Sequence, residues 1–82
     1  MGISVELSLY PLQSSYKNTI LGFVDKIRAY EHLSVTTNAM SSQIFGDYDD
    51  VMQVLQKELK IVFEQPEMLV VVMKVVGKNL ED

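Results

Sequence analysis

The chain has no cysteine. That excludes a disulfide staple and a thiolate metal site. It has one histidine, His32, placed between a helical and a strand-like segment. One histidine without cysteine makes no recognisable metal-ligand spacing. Long apolar runs are also missing: none approaches the about 18 residues that read as a membrane span. The start, MGISVELSLYPL, alternates instead of forming the apolar block of a signal peptide. A cytoplasmic protein with no membrane partner is the expectation. Positive charge is scarce, with 7 Lys and Arg against 11 Asp and Glu and a net charge of −4. Phosphate binding needs a basic face, so a nucleic-acid partner is not expected. Gly2, Gly22, Gly46 and Gly77 stand alone, in no phosphate-cradling pattern. No nucleophile elbow is present either. The expectation is a protein that is not an enzyme and carries no cofactor or metal.

What is there fits one small domain, residues 1–82. A chain this short buries only about 60–65 % of its unfolded surface, so its core is marginal alone. With 48 % hydrophobic residues and no disulfide, self-association is the remaining brace.

Ile3 to Tyr10 alternates as a strand does, with Ile3, Val5, Leu7 and Leu9 on one side and Ser4, Glu6, Ser8 and Tyr10 on the other. Pro11 ends it. Ser14 or Ser15 suits a helix cap. Tyr16, Ile20, Phe23, Val24, Ile27 and Tyr30 then recur at helical spacing. Leu33–Ala39 and Ser42–Phe45 read as two strands of a hairpin, turning at Met40 and Ser41. Gly46 frees the backbone, and Asp47 or Asp49 caps a second helix. Its apolar stripe is Val51, Val54, Leu55, Leu59, Val62 and Phe63, and Pro66 stops it. Met68–Val76 is a fourth strand, followed by a polar tail. The order β-α-β-β-α-β predicts an α+β, ferredoxin-like sandwich, with two helices on one face of a four-stranded antiparallel sheet.

The fourth strand, MLVVVMKVV, is apolar on both faces. Two helices cover one face only. Either Met68, Val70 and Val72 or Leu69, Val71 and Met73 then need another cover, and a partner's sheet is the simplest. Three exposed apolar side chains would forgo roughly 1.5–3 kcal/mol each. The plainer alternative is that β-branched residues merely favour strands. If the outer face is covered, Glu6 must meet a cation, a partner's donor or a ligand; at the rim it stays wet.

The densest stretch is TNAMSSQIFGDYDD, residues 37–50. Asp47, Asp49 and Asp50 sit at a helix start, where they suit caps better than a calcium loop. Thr36, Thr37, Asn38, Ser41, Ser42 and Gln43 offer donors and acceptors to a neutral heterocycle, with Tyr10 and Phe45 to stack on or sandwich its ring. Ordinary hairpin chemistry accounts for the same residues.

ISVELSLYPL together with TNAMSSQIFGDYDDVM resembles the YkoF-like thiamine-binding family, whose pattern reads VEISLYPL and TNAMSTQIFGEYDEVM. Ser42 stands where threonine is usual. The resemblance implies a ferredoxin-like domain that packs by its sheets into a homodimer or homotetramer. It also implies a non-catalytic protein that binds thiamine or its hydroxymethylpyrimidine part. The positions it marks for ligand contact are Glu6, Ser8, Thr37, Asn38, Ser41 and Gln43. The alternative is a structural or regulatory self-associating module with no small-molecule ligand.

Overall fold

The computed structural model describes residues 1–12, 17–66 and 68–81, with the side chains of the first helix from residue 21 onward. The elements are β1 (Gly2–Pro11), α1 (Lys17–Arg28), β2 (Ser34–Thr37), β3 (Ser42–Asp47), α2 (Tyr48–Phe63) and β4 (Leu69–Val76). The four strands form one antiparallel sheet in the order β2-β3-β1-β4. This is the expected ferredoxin-like fold.

The alternation of β1 decides the two faces. Ile3, Val5 and Leu7 are almost fully buried, together with Ile44 of β3. Over them lie Phe23, Val24 and Ile27 from α1 and Val51, Val54, Leu55 and Val62 from α2. Both helices therefore cover one face. The other face carries Ser4, Glu6, Ser8 and Tyr10 of β1. The ladder sets these opposite Val76, Lys74, Val72 and Val70 of β4.

Several boundaries differ from the sequence expectation. Ser14, Ser15 and Tyr16 lie outside the described residues, as does the side chain of Ile20. β1 runs through Pro11, which pairs with Leu69; proline is tolerated at such a strand end. β2 is shorter than Leu33–Ala39 because Asn38 Oδ1 accepts the N–H groups of Met40 and Ser41, at 2.8 and 2.9 Å, and starts the turn. β3 is longer than Ser42–Phe45 because Gly46 and Asp47 continue the ladder opposite Ile3 and Gly2. Tyr30 lies beyond the end of α1. In α2 the buried stripe is Val51, Val54, Leu55, Glu58 and Val62. Phe63 is off it by one residue, about 100° of helix, and is 53 % exposed.

Gly46 has no positive φ, so freedom of the backbone is not its role. A Cβ there would lie 2.8 Å from Leu33 Cδ2 and 3.2 Å from Val51 Cγ2. Glycine is favoured because β3, α2 and the Leu33 loop meet so closely that a Cβ would push the Leu33 and Val51 side chains aside. Asp47 does hold the N-cap position of α2, but its side chain caps nothing. Its Oδ1 instead accepts from the Met1 ammonium at 2.9 Å. The Met1 carbonyl accepts the N–H of Tyr48 at 2.8 Å, satisfying the first orphan donor of the helix.

Candidate functional site on the outer sheet face

The outer face has polar chemistry in its middle and apolar residues along one side. Glu6 pairs with Gln43 on one flank and with Lys74 on the other. Ser41 Oγ donates to Glu6 Oε2 at 3.0 Å, and Gln43 Nε2 donates to Ser41 Oγ at 2.7 Å. Lys74 Nζ stands 3.6 Å from Glu6 Oε1, with the two side chains 77 % and 41 % exposed. An ion pair this wet contributes about 0–1 kcal/mol. Glu6 thus has a hydroxyl donor on one oxygen and a more distant, solvent-exposed cation near the other.

Beside this group is a hollow of about 210 Å³, lined by Ser4, Glu6, Gln43, Phe45, Lys74, Val76 and Leu80, with the Val5 backbone strand beneath. One wall is the chain's own tail. Ser4 Oγ donates to the Lys78 carbonyl and accepts from the Leu80 N–H, both at 2.8 Å. Ser34 also donates to the Glu81 carboxylate. These bonds lay residues 78–81 across one end of the outer face and bury Ser4.

Of the six residues marked in the sequence, Glu6, Ser41 and Gln43 form one bonded group. Ser8 lies on the same face, two residues along β1 and opposite Val72. Asn38 closes the hairpin: its amide oxygen is taken by the turn, and its N–H donates to the Ser41 carbonyl at 3.0 Å. Thr37 is opposite Ser42 on the helix-covered side of the sheet. Its Oγ1 accepts from Arg28 at 2.9 Å and lies 3.2 Å from Ser42 Oγ. The period of two sends its side chain away from Glu6. Tyr10 and Phe45 cannot sandwich one ring. Phe45 is opposite Ser4, and six residues of strand from Ser4 to Tyr10 span about 20 Å.

Lys74, Val76, Ser4 and Leu80 were not expected at a site. Lys74 had a signal, being the one charge in an apolar strand. Its partner Glu6 follows only from the β1–β4 register. His32 stays in its loop, edge-on to Tyr30 with ring centres 6.0 Å apart. Among the described residues, no three His, Cys, Asp or Glu converge as a metal site, and no helix is long and apolar enough to cross a membrane.

A family model described as "Thiamine-binding protein" matches residues 5–79. The chain belongs to the thiamine-binding protein family. This agrees with the resemblance carried by its first strand and hairpin. Solved structures share the fold of this family member. A hypothetical protein of Methanocaldococcus jannascii superposes with a TM-score of 0.78 at 22 % identity, over 99 % of this chain and 84 % of that one. A Thermotoga maritima protein provisionally assigned to thiamine biosynthesis or salvage gives 0.80 at 14 % identity, over 95 % and 85 %. A domain of unknown function from Bacillus cereus gives 0.69 at 11 %, over 98 % and 79 %. No curated protein matches the chain significantly.

Proposed function

We propose that this member of the thiamine-binding family is a non-catalytic binding protein for thiamine or a related hydroxymethylpyrimidine, working as a homo-oligomer. The observation that carries the reading is the bonded group Glu6–Ser41–Gln43 at the edge of the hollow beside Phe45. An aminopyrimidine presents an amino donor beside ring-nitrogen acceptors. The Glu6 carboxylate suits the first, and the second N–H of the Gln43 amide suits the second. Phe45 offers a ring face to stack on. Ser8 lies at the far side of the same face. Asn38 and Thr37 support the hairpin that carries Ser41 and Gln43.

The hollow is small. Sites that bury a whole drug-sized ligand hold about 300–1,000 Å³, against about 210 Å³ here. It suits a pyrimidine ring better than all of thiamine. A second copy laid on the outer face would deepen it. The exposed side chains of Tyr10, Val70, Val72, Val76 and Leu80 favour such a cover. They would also fit the second reading, a self-associating module without a ligand.

Titration calorimetry with thiamine and with hydroxymethylpyrimidine tests the proposal. Saturable heat from either supports it. No heat from either, in a protein that is oligomeric by light scattering, leaves the module reading.

A further inference from the structure

Lys74 is the one charge on β4 and the one basic residue among those lining the hollow. β4 is an edge strand, and a lysine on an edge ordinarily guards it against foreign pairing. This one turns inward over the sheet instead. Its ammonium stands 3.6 Å from Glu6 on the neighbouring strand.

The two oxygens of Glu6 are not equivalent. Oε2 already accepts from the Ser41 hydroxyl at 3.0 Å. Oε1 faces the Lys74 ammonium, whose side chain is 77 % exposed. An amino group entering the hollow would therefore take Oε1 and displace the lysine. The exchange costs little, because a wet ion pair contributes little. It also leaves a released cation beside the bound molecule.

The substitution pattern of the ring decides what that cation meets. In a hydroxymethylpyrimidine the amino group stands between a ring nitrogen and the carbon that bears the hydroxymethyl group. Glu6 has Gln43 on one flank and Lys74 on the other. Neighbouring strands lie about 4.8 Å apart, so the two flanks are about 10 Å from each other. With the amino group on Glu6 and the ring nitrogen on the second N–H of Gln43, the hydroxymethyl carbon falls on the Lys74 flank. In thiamine that carbon carries the cationic thiazolium, a like charge. In a phosphate monoester it carries an anion.

We propose that Lys74 is the specificity-determining residue of the hollow, selecting a phosphorylated aminopyrimidine over its alcohol and over cationic thiamine. This rests on the binding role proposed above and narrows its ligand. Attraction favours the ester, and repulsion disfavours the thiazolium.

Calorimetry with hydroxymethylpyrimidine, its phosphate monoester and thiamine tests the choice, on wild type, Lys74→Met and Lys74→Arg. The ester should bind wild type about tenfold tighter than the alcohol, the scale of one hydrogen bond to a charged group. Thiamine should bind weakest. Lys74→Met should level ester and alcohol and improve thiamine, while Lys74→Arg should keep the wild-type order. An ester no tighter than the alcohol, with either alcohol or thiamine bound, overturns the role of Lys74 and leaves the binding role standing. Equal losses of all three ligands in Lys74→Met overturn it too, since the lysine would then serve the shared ring. So does a Lys74→Met variant that aggregates in light scattering with its order of affinities unchanged, which would make Lys74 an edge guard. No heat from any of the three removes the binding role itself, and the selection with it.

Discussion

Glu6 and Gln43 face each other across the β1–β3 ladder, and the Ser41 hydroxyl joins them, donating to Glu6 and accepting from Gln43. The joint ties an exposed hairpin end to the central strand. It also sets the direction of each group. Gln43 is fixed as a donor, and Glu6 as an acceptor.

Glu6→Gln should leave folding nearly untouched. The side chain is half-exposed and its Lys74 pair is loose. Thiamine affinity should fall by about 1.5–3 kcal/mol, the scale of a hydrogen bond to a charged group in a covered site. Calorimetry on both proteins reads the difference. Equal affinities would remove Glu6 from the site.

Gly46→Val should destabilise the chain by about 1–3 kcal/mol, the cost of overpacking a tight site. The cause is collision with Leu33 and Val51, with no backbone strain involved. Gly46→Ala should cost less, and Leu33→Ala should partly rescue Gly46→Val. Urea melts of the four proteins check this. Absence of rescue would deny the steric account.

Val70→Lys and Val71→Lys should part company. Val71 is packed against the core, and its replacement should lower the melting temperature. Val70 faces outward beside Tyr10, and its replacement should dissociate an oligomer while the subunit stays folded. Light scattering and circular dichroism separate the two. A wild-type mass of one subunit at micromolar concentration sinks the oligomer.

The Met1–Asp47 contact should give a small, salt-sensitive gain within a window of pH. The Met1 ammonium is held above its ordinary 8.0, chiefly by the Asp47 hydrogen bond. Asp47 is held below its ordinary 3.8 by the same bond. The amine's share is full below 8.0 and is lost as pH rises through its raised value. The carboxylate's share is full above 3.8 and is lost as pH falls through its depressed value. The stability difference between wild type and Asp47→Ala should therefore be flat between these limits and vanish outside them. Both groups lie at the surface, so added salt should shrink it. A large, salt-independent loss in Asp47→Ala would mean a helix cap instead.

Gly22→Ala should stabilise α1 by up to about 1 kcal/mol, the helix propensity difference. Nothing described opposes the added methyl group. A lower melting temperature would show that the helix surface at Gly22 is tighter than its geometry.

The fold was legible because its signals are local. The alternation of Ile3, Val5, Leu7 and Leu9 and the 3.6-residue spacing of Val51, Val54, Leu55 and Val62 each name a face directly. Pairing between distant strands is not local, and there the sequence was silent. Nothing near Glu6 predicts Lys74, and nothing near Ser4 predicts the Leu80 N–H. Thr37 shows the sharpest limit. Thr36 and Thr37 are chemically alike, and one residue of register decides which of them shares a face with Gln43. Glu58 was hidden for a different reason. A glutamate within a helix ordinarily reads as solvated surface, and only the direction of the stripe shows that it is buried.

The central place of β1 bears on how the chain is made. The strand precedes both of its neighbours in the chain: these are β3 and β4, and β4 comes some sixty residues later. Until then one edge of a strand with an apolar face has no ladder partner. Such an edge can pair with a foreign strand. Pairing between distant segments also slows folding, since a long loop must close first. A nascent chain halted before residue 69 should therefore be the aggregation-prone species. The arrival of β4 would decide whether β1 ends inside a sheet or against another molecule.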